Sequence, residues 1–182
     1  MANSSEDHLP PDTSNAIFYA TSSIVIDAPR DKLWSILTDF PSYKEWNTFV
    51  HTIEVTTESK ELLPDQTPAE GKFIKILANM APGDKPEEPK GSNRGDAFCV
   101  ISTYDPVNYR VGWKSRMMPE FLLSAYRWQA LHIDEATGKT RYENTEVFNG
   151  LLGYFIKYFV GSKLARGFQG AADSLKKRAE TE

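Results

Sequence analysis

Between Thr48 and Asn149 the chain reads as six β segments, and a seventh precedes them at Ala16–Asp27. Only one long helix-forming stretch, Leu151–Ala179, is available to cover them. One helix cannot bury a flat seven-stranded sheet. The sheet must curl around it, and a curled sheet gripping one helix leaves space between the two. At 182 residues the chain is about one domain, long enough to bury roughly 70% of its unfolded surface.

The segments follow from composition and period. Ala16–Asp27 is rich in β-branched and aromatic residues. Thr48–Glu58 and Lys72–Met80 alternate apolar and polar residues. Ala97–Tyr104, Tyr109–Met117, Leu122–Ile133 and Thr140–Asn149 also read as strands, with Asp105-Pro106 and Glu135–Lys139 as turns. Asp27-Ala28-Pro29 starts a short helix, whose apolar positions are Leu33, Trp34, Ile36 and Leu37. Asp39-Phe40-Pro41 starts a second short helix that ends near Trp46. Together they form a V-shaped bracket, and Trp34 and Trp46 are expected in it and in the core. Ala81–Asp96, rich in proline, glycine and charge, is a loop long enough to suggest a purpose. The terminal helix carries two apolar stripes: Leu151, Phe155, Tyr158 and Phe159, then Leu164, Phe168, Ala171, Ala172 and Leu175. Gly161 between them is the expected bend.

Hydrophobic residues at 40% and charged residues at 25% fit a soluble globular protein. The net charge of −4 argues against a general nucleic-acid or anionic-membrane binder unless a basic patch is concentrated locally, and Lys176–Arg178 is too short for one. Cys99 is the only cysteine, which excludes an internal disulfide or a cysteine zinc site; the expected state is a buried, inert thiol. Three scattered histidines supply no metal-ligand spacing. No apolar run is long enough to span a bilayer, and the polar start lacks a signal-peptide core, so the expected location is cytoplasmic. Residues 1–15 are expected to be a disordered tail, and residues 16–182 a single ligand-binding domain. Glycine-rich phosphate loops and a GxSxG nucleophile elbow do not occur.

Several residues carry a family resemblance. They are Ile26-Asp27-Ala28-Pro29, then Leu33-Trp34, then Phe40, Tyr43 and Trp46 in DFPSYKEWNTFV. Toward the other end are Thr140-Arg141-Tyr142, Glu146, Phe148, Gly150 and the helix ending GFQGAADSLKKRAE. With these features the chain resembles the START-like, Bet v 1-like (SRPBCC) superfamily, the polyketide cyclase/dehydrase and lipid-transport group, over about residues 17–180. The resemblance implies an α+β helix-grip fold: a curved seven-stranded antiparallel sheet around a long C-terminal helix, with two short helices after the first strand. It also implies a hydrophobic cavity. Members carry lipids, quinones, hormones or polyketides, and some catalyse cyclisation, dehydration or isomerisation. Fold alone does not choose among these.

Strand parity nominates the site. On Thr140–Asn149 one face carries Tyr142, Asn144, Glu146 and Phe148, a mixture suited to a cavity. On Leu122–Ile133 either face is possible: Ser124, Tyr126, Trp128, Ala130 and His132, or Leu123, Ala125, Arg127, Gln129 and Leu131. The resemblance favours the Trp128/His132 face. Glu146 in an apolar pocket would hold its proton more tightly than usual and could act as a general acid or base; the plainer alternative pairs it with Arg141, Arg127 or Arg116 at a rim. His132 is the histidine placed to share that work, because His8 lies in the tail and His51 starts a strand. Trp113, Tyr126, Trp128, Tyr142, Asn144, Phe148, Phe155 and Phe159 are the expected lining, with Met117-Met118 near the mouth. Tyr142 or Asn144 would hold an oxyanion.

Two functions compete. One is a cofactor-independent cyclase, dehydratase or isomerase acting on a polyketide- or terpenoid-like molecule. The other is a carrier of a lipid, quinone or pigment, with Ala81–Asp96 as its lid. Both expect a hydrophobic small molecule, no nucleic acid, no stable membrane insertion, and a monomer or homodimer. A subunit presenting its helix to a protein partner is weaker, since nothing exposed and apolar on Ser162–Glu182 demands one.

Overall fold

A computed structural model describes residues 9–181. The strands are β1 (Phe18–Ile26), β2 (Val50–Thr56), β3 (Phe73–Asn79), β4 (Arg94–Asp105), β5 (Arg110–Ser115), β6 (Ser124–Ile133) and β7 (Thr140–Asn149). They form one antiparallel sheet in the order β1-β7-β6-β5-β4-β3-β2. The helices are α1 (Arg30–Thr38), α2 (Tyr43–Trp46), α3 (Leu151–Phe155) and α4 (Gly161–Thr181). This is the helix-grip architecture that the element order requires.

The first and last strands in the sheet order, β1 and β2, are joined by the bracket of α1, the 3-10 turn Phe40–Ser42 and α2. The bracket is packed by aromatic contacts. Phe40 meets Tyr43 and Trp113 edge-on, and the Tyr43 hydroxyl donates to the Leu37 carbonyl at 2.8 Å. Trp34 rests on Tyr104 and Tyr109 at the β4–β5 turn. Trp46 is buried against Tyr43.

Both edges of the sheet meet α4. On the β1 side Lys176 Nζ donates to the Val25 carbonyl and the Asp27 amide donates to Glu180. On the β2 side Thr48 bonds Ser174 at 3.1 Å and Phe49 packs on Phe168 at 5.8 Å. The approach is close because the facing helix positions are small: a Cβ built on Gly167 would lie 2.3 Å from the Phe49 ring.

Gly161 does mark an irregularity. The five residues before it, Ile156–Val160, form a π-helical turn between α3 and α4. Strand β4 starts at Arg94, three residues earlier than the sequence suggests, because Asn79 of β3 still offers backbone groups to pair. The 81–93 connection lies against α2 and the far half of α4, where Pro82 approaches Gly170 and Asp84 and Pro86 stand beside Trp46 and Lys177. Residues 12–15 form a turn held by the Asp12 side chain, while residues 1–8 of the expected tail lie outside the described residues.

Gly167→Ala tests the grip. Alanine is the better helix former by about 1 kcal/mol, but overpacking a filled core costs about 1–3 kcal/mol. The variant is expected to melt several degrees lower than the parent in a thermal scan. An unchanged or higher Tm would show that the Phe49 contact does not hold helix and sheet together.

Candidate functional site

Side-chain size on the concave face of the sheet falls from one end to the other. Toward α1 it carries Ile26, Leu131 and Tyr142, packed with Leu33, Leu37 and Phe40. Toward the opposite end it carries Ala78, Gly95, Ala97, Ser115 and Ala125. The small residues leave a cavity of about 190 Å³, walled by Phe49, Val50, Ile76, Cys99, Trp113, Phe148 and Leu164. Met80, Asp96, Met117 and Leu123 stand at the more exposed end, which is the mouth.

Two charged side chains enter this apolar wall. Arg127 of β6 and Glu146 of β7 are opposite one another in the register, so both point inward, about 5 Å apart at Cβ. Arg127 is only 5% exposed. Its guanidinium lies 4.5 Å from the Phe168 ring centre, 5.5 Å from Trp113 and 5.8 Å from Phe49, and its Nε donates to Asn144 Oδ1 at 3.0 Å. Burial pushes the Glu146 carboxyl above the usual glutamate range, with Arg127 pulling partly back. Burial likewise pushes the Cys99 thiol well up, and the nearby Glu146 adds to it, so Cys99 is a wall residue and a poor nucleophile.

One row toward α1, Ser22, Asn144 and Gln129 face each other across three strands. The Tyr142 hydroxyl donates to Gln129 Oε1 at 2.7 Å, and burial raises this phenol to about 12. Asn144 Nδ2, Gln129 Nε2 and Ser22 Oγ have no hydrogen-bond partner among the described residues. All three are buried behind the cavity and none of them lines it, so Arg127 is the donor that its wall presents.

The residues expected from sequence divide cleanly. Glu146, Trp113 and Phe148 line the cavity, and Met117 stands at its mouth, but Met118 does not line it. Tyr142 and Asn144 share the inward face of β7, buried beside the cavity, where Asn144 positions Arg127. The choice of face on β6 is reversed. Ala125, Arg127, Gln129 and Leu131 point inward, so Tyr126, Trp128 and His132 belong to the convex side. Tyr126 lies under Lys114 there, and Trp128 is buried across Gly112. The His132 side chain is 43% exposed and meets Glu143 at 3.5 Å, so it cannot share a proton with Glu146. Phe155 and Phe159 stack on each other at 4.9 Å but are 54% and 70% exposed, directed away from the cavity. Of the Ala81–Asp96 segment expected as a lid, Gly95 and Asp96 line the cavity from the start of β4, while residues 81–93 lie against α2 and α4. Arg127, which the sequence offered only on the disfavoured face of β6 or as a rim partner of Glu146, stands buried in the cavity wall.

Residues 18–180 match the family described as polyketide cyclase / dehydrase and lipid transport. The chain belongs to this family. Solved structures of the same fold accompany that match. A START superfamily protein from Mycobacterium smegmatis is 11% identical with a TM-score of 0.58, over 89% of this chain and 97% of that one. Major latex-like protein 151 from Panax ginseng is 8% identical with a TM-score of 0.62, over 89% and 97%. Protein TTHA0849 from Thermus thermophilus is 12% identical with a TM-score of 0.64, over 90% and 97%. At these identities the likeness is one of fold. No curated protein matches the chain in sequence. In the polyketide cyclase/dehydrase and lipid-transport family a hydrophobic ligand is the common theme, and no described helix here is long and apolar enough to cross a membrane.

Two outcomes are expected. Ala125→Leu places its added carbons in the cavity, so the Tm is held or raised while a bound apolar dye is lost; unchanged dye uptake would place the binding space elsewhere. Glu146 gives a pH signature. Its native pKa is raised, so between the ordinary value of 4.5 and that raised value the folded state keeps a proton the unfolded state has lost. Stability therefore falls as pH rises through that window. Glu146→Gln is expected to gain stability over the parent across the same window and to match it below, as read from denaturant midpoints at stepped pH.

Proposed function

We propose that this protein binds a hydrophobic, oxygenated small molecule, polyketide- or terpenoid-like, and isomerises, dehydrates or cyclises it by proton transfer at Glu146. The observation that carries the reading is the Arg127–Glu146 pair set into an otherwise apolar cavity wall. A carboxyl whose proton is held more tightly than usual suits a general base that must later return the proton. In isomerisation, Glu146 takes a proton from the carbon beside a carbonyl, and the negative charge moves to the carbonyl oxygen. Arg127 stabilises that oxygen, and Glu146 returns the proton to a second carbon. In dehydration the same proton goes to a departing hydroxyl, which leaves as water. Arg127, the donor in the cavity wall, supports a ligand that presents an acceptor oxygen. The aromatic and aliphatic walls suit its apolar remainder.

A second reading is a carrier that holds the same kind of molecule unchanged. It is favoured by the place of Asp96 at the mouth and of His132 outside the cavity, which leaves Glu146 as the one carboxyl of the inner wall.

The test compares the small molecules extracted from purified parent, Glu146→Gln and His132→Ala proteins by chromatography and mass spectrometry. The catalytic reading expects the parent and His132→Ala to carry the same molecule. It expects Glu146→Gln to carry its precursor: an isomer of equal mass, or one heavier by a water. An identical molecule in all three identifies a carrier. If His132→Ala alone changes the bound molecule, the assignment to Glu146 is wrong.

A further inference from the structure

The first part of the terminal helix is oriented against expectation. Over Leu151–Val160 only Gly153, Ile156 and Val160 turn toward the body of the protein, with Gly153 seated on Ile17. Leu151, Tyr154, Phe155, Tyr158 and Phe159 are between 54% and 74% exposed. A patch of large apolar side chains this continuous is uncommon on a surface that faces only water.

The start of the helix is seated on the connection that borders the cavity mouth. The Leu151 and Leu152 amides donate to the Phe121 and Leu122 carbonyls at 3.1 and 2.8 Å, seating the helix on the β5–β6 connection. That connection adds Phe121, 69% exposed, and Met117, which lines the mouth itself. Leu164, one turn beyond the π-helical segment, lines the cavity from inside. The helix that carries the exposed face is therefore tied to the connection that carries Met117 at the mouth.

Charge distinguishes the occupants. The whole chain carries −4, yet from Val147 to Ala172 there is no acidic residue and there are three cations, Lys157, Lys163 and Arg166. Beside the mouth Arg116 is paired with Glu120 at 3.8 Å and Asp96 with Arg94 at 2.7 Å, so the excess of positive charge lies on the helix. A second copy docked here would bring these cations against themselves. The segment MANSSEDH, outside the described residues, offers only Met1 and Ala2 as apolar cover among its eight residues. Aromatic and aliphatic side chains flanked by lysine and arginine match the water–lipid boundary of an anionic bilayer, where the rings enter the headgroup level and the cations remain at the phosphates.

We propose that the Leu151–Phe159 face, with Phe121 and Met117, is a docking surface for an anionic lipid bilayer, and that it presents the cavity mouth to the membrane. The attachment is peripheral. It stands on the exposed face and does not depend on any chemistry at Glu146.

The test is co-sedimentation of the full chain with vesicles of phosphatidylcholine alone or phosphatidylcholine mixed with phosphatidylserine. The variants are Phe155→Ser/Phe159→Ser and Lys157→Glu/Arg166→Glu, with circular dichroism melts to show that each is folded. The parent is expected to sediment with the anionic vesicles, more weakly at high salt. The phenylalanine pair should weaken that binding by about tenfold or more, and the cation pair should abolish the preference for anionic over neutral vesicles. Phenylalanine variants that bind as the parent does would overturn the proposal, as would a parent that binds neither vesicle. A parent that ignores vesicles but sediments alone as a dimer, with the phenylalanine pair monomeric, would assign the face to a second copy instead.

Discussion

A guanidinium almost out of contact with water sets the terms for the rest of this molecule. Moving a charge of that kind from water into the interior costs several kcal/mol before compensation. The compensation here comes from every layer at once. Phe49 belongs to the entry to β2, Trp113 to β5, Phe168 to α4 and Asn144 to β7. Arg127 can sit where it does only if both the helix and the strands beside it are in place, and the helix in turn reaches Phe49 only because Gly167 lets it approach. The grip and the polar end of the cavity are therefore one arrangement. Loosening the helix would expose the arginine, and removing the arginine would leave Asn144 and the three rings without their shared partner.

The strands were legible because their composition is simple. Thr140–Asn149 has the boundaries that its sequence suggests, and its inward face is the one that carries Tyr142, Asn144, Glu146 and Phe148. Its neighbour β6 was not legible from composition, because both faces hold apolar residues and the single charge, Arg127, is the one that turns inward. A charged residue on a strand ordinarily marks the water side. The missing constraint lay in the hairpin. Ile133 pairs with Thr140 across the 134–139 turn, and in any antiparallel register of that kind even-numbered residues of one strand face odd-numbered residues of the other. Once Glu146 is placed inside, Arg127 must accompany it, and Trp128 and His132 must point outward.

The helix shows the same lesson with a different period. Each residue of an α-helix advances about 100° around the axis, so Phe155 and Leu164 fall on opposite sides even before the π-helical turn is considered. Leu164, Phe168, Ala171 and Leu175 form the buried side of α4. The stripe of Leu151, Phe155 and Phe159 was then bound to face outward, however hydrophobic its members. Expecting Phe155 and Phe159 in the cavity lining follows from treating apolarity as a sign of burial, when it is a sign only of contact with something apolar.

The cavity itself is a consequence of where the chain uses small residues. β4 supplies Gly95, Ala97 and Cys99 in succession on its inner face, β3 supplies Ala78, and β6 supplies Ala125. At the other end of the same sheet Tyr142 and Leu131 are fully enclosed with Phe40, Leu33 and Leu37. A sheet that tapers in side-chain volume beneath one helix must be solid at its bulky end and open at its small end. The opening then falls next to the β5–β6 connection and the start of the terminal helix. A guest entering there passes Met117 and Leu123 at the mouth, then the apolar walls, and meets Arg127 and Glu146 deeper in. On the function proposed above, that order turns the oxygen-bearing end of an amphipathic guest toward Arg127 and Glu146 and leaves its apolar end toward the mouth, with no further device needed to orient it.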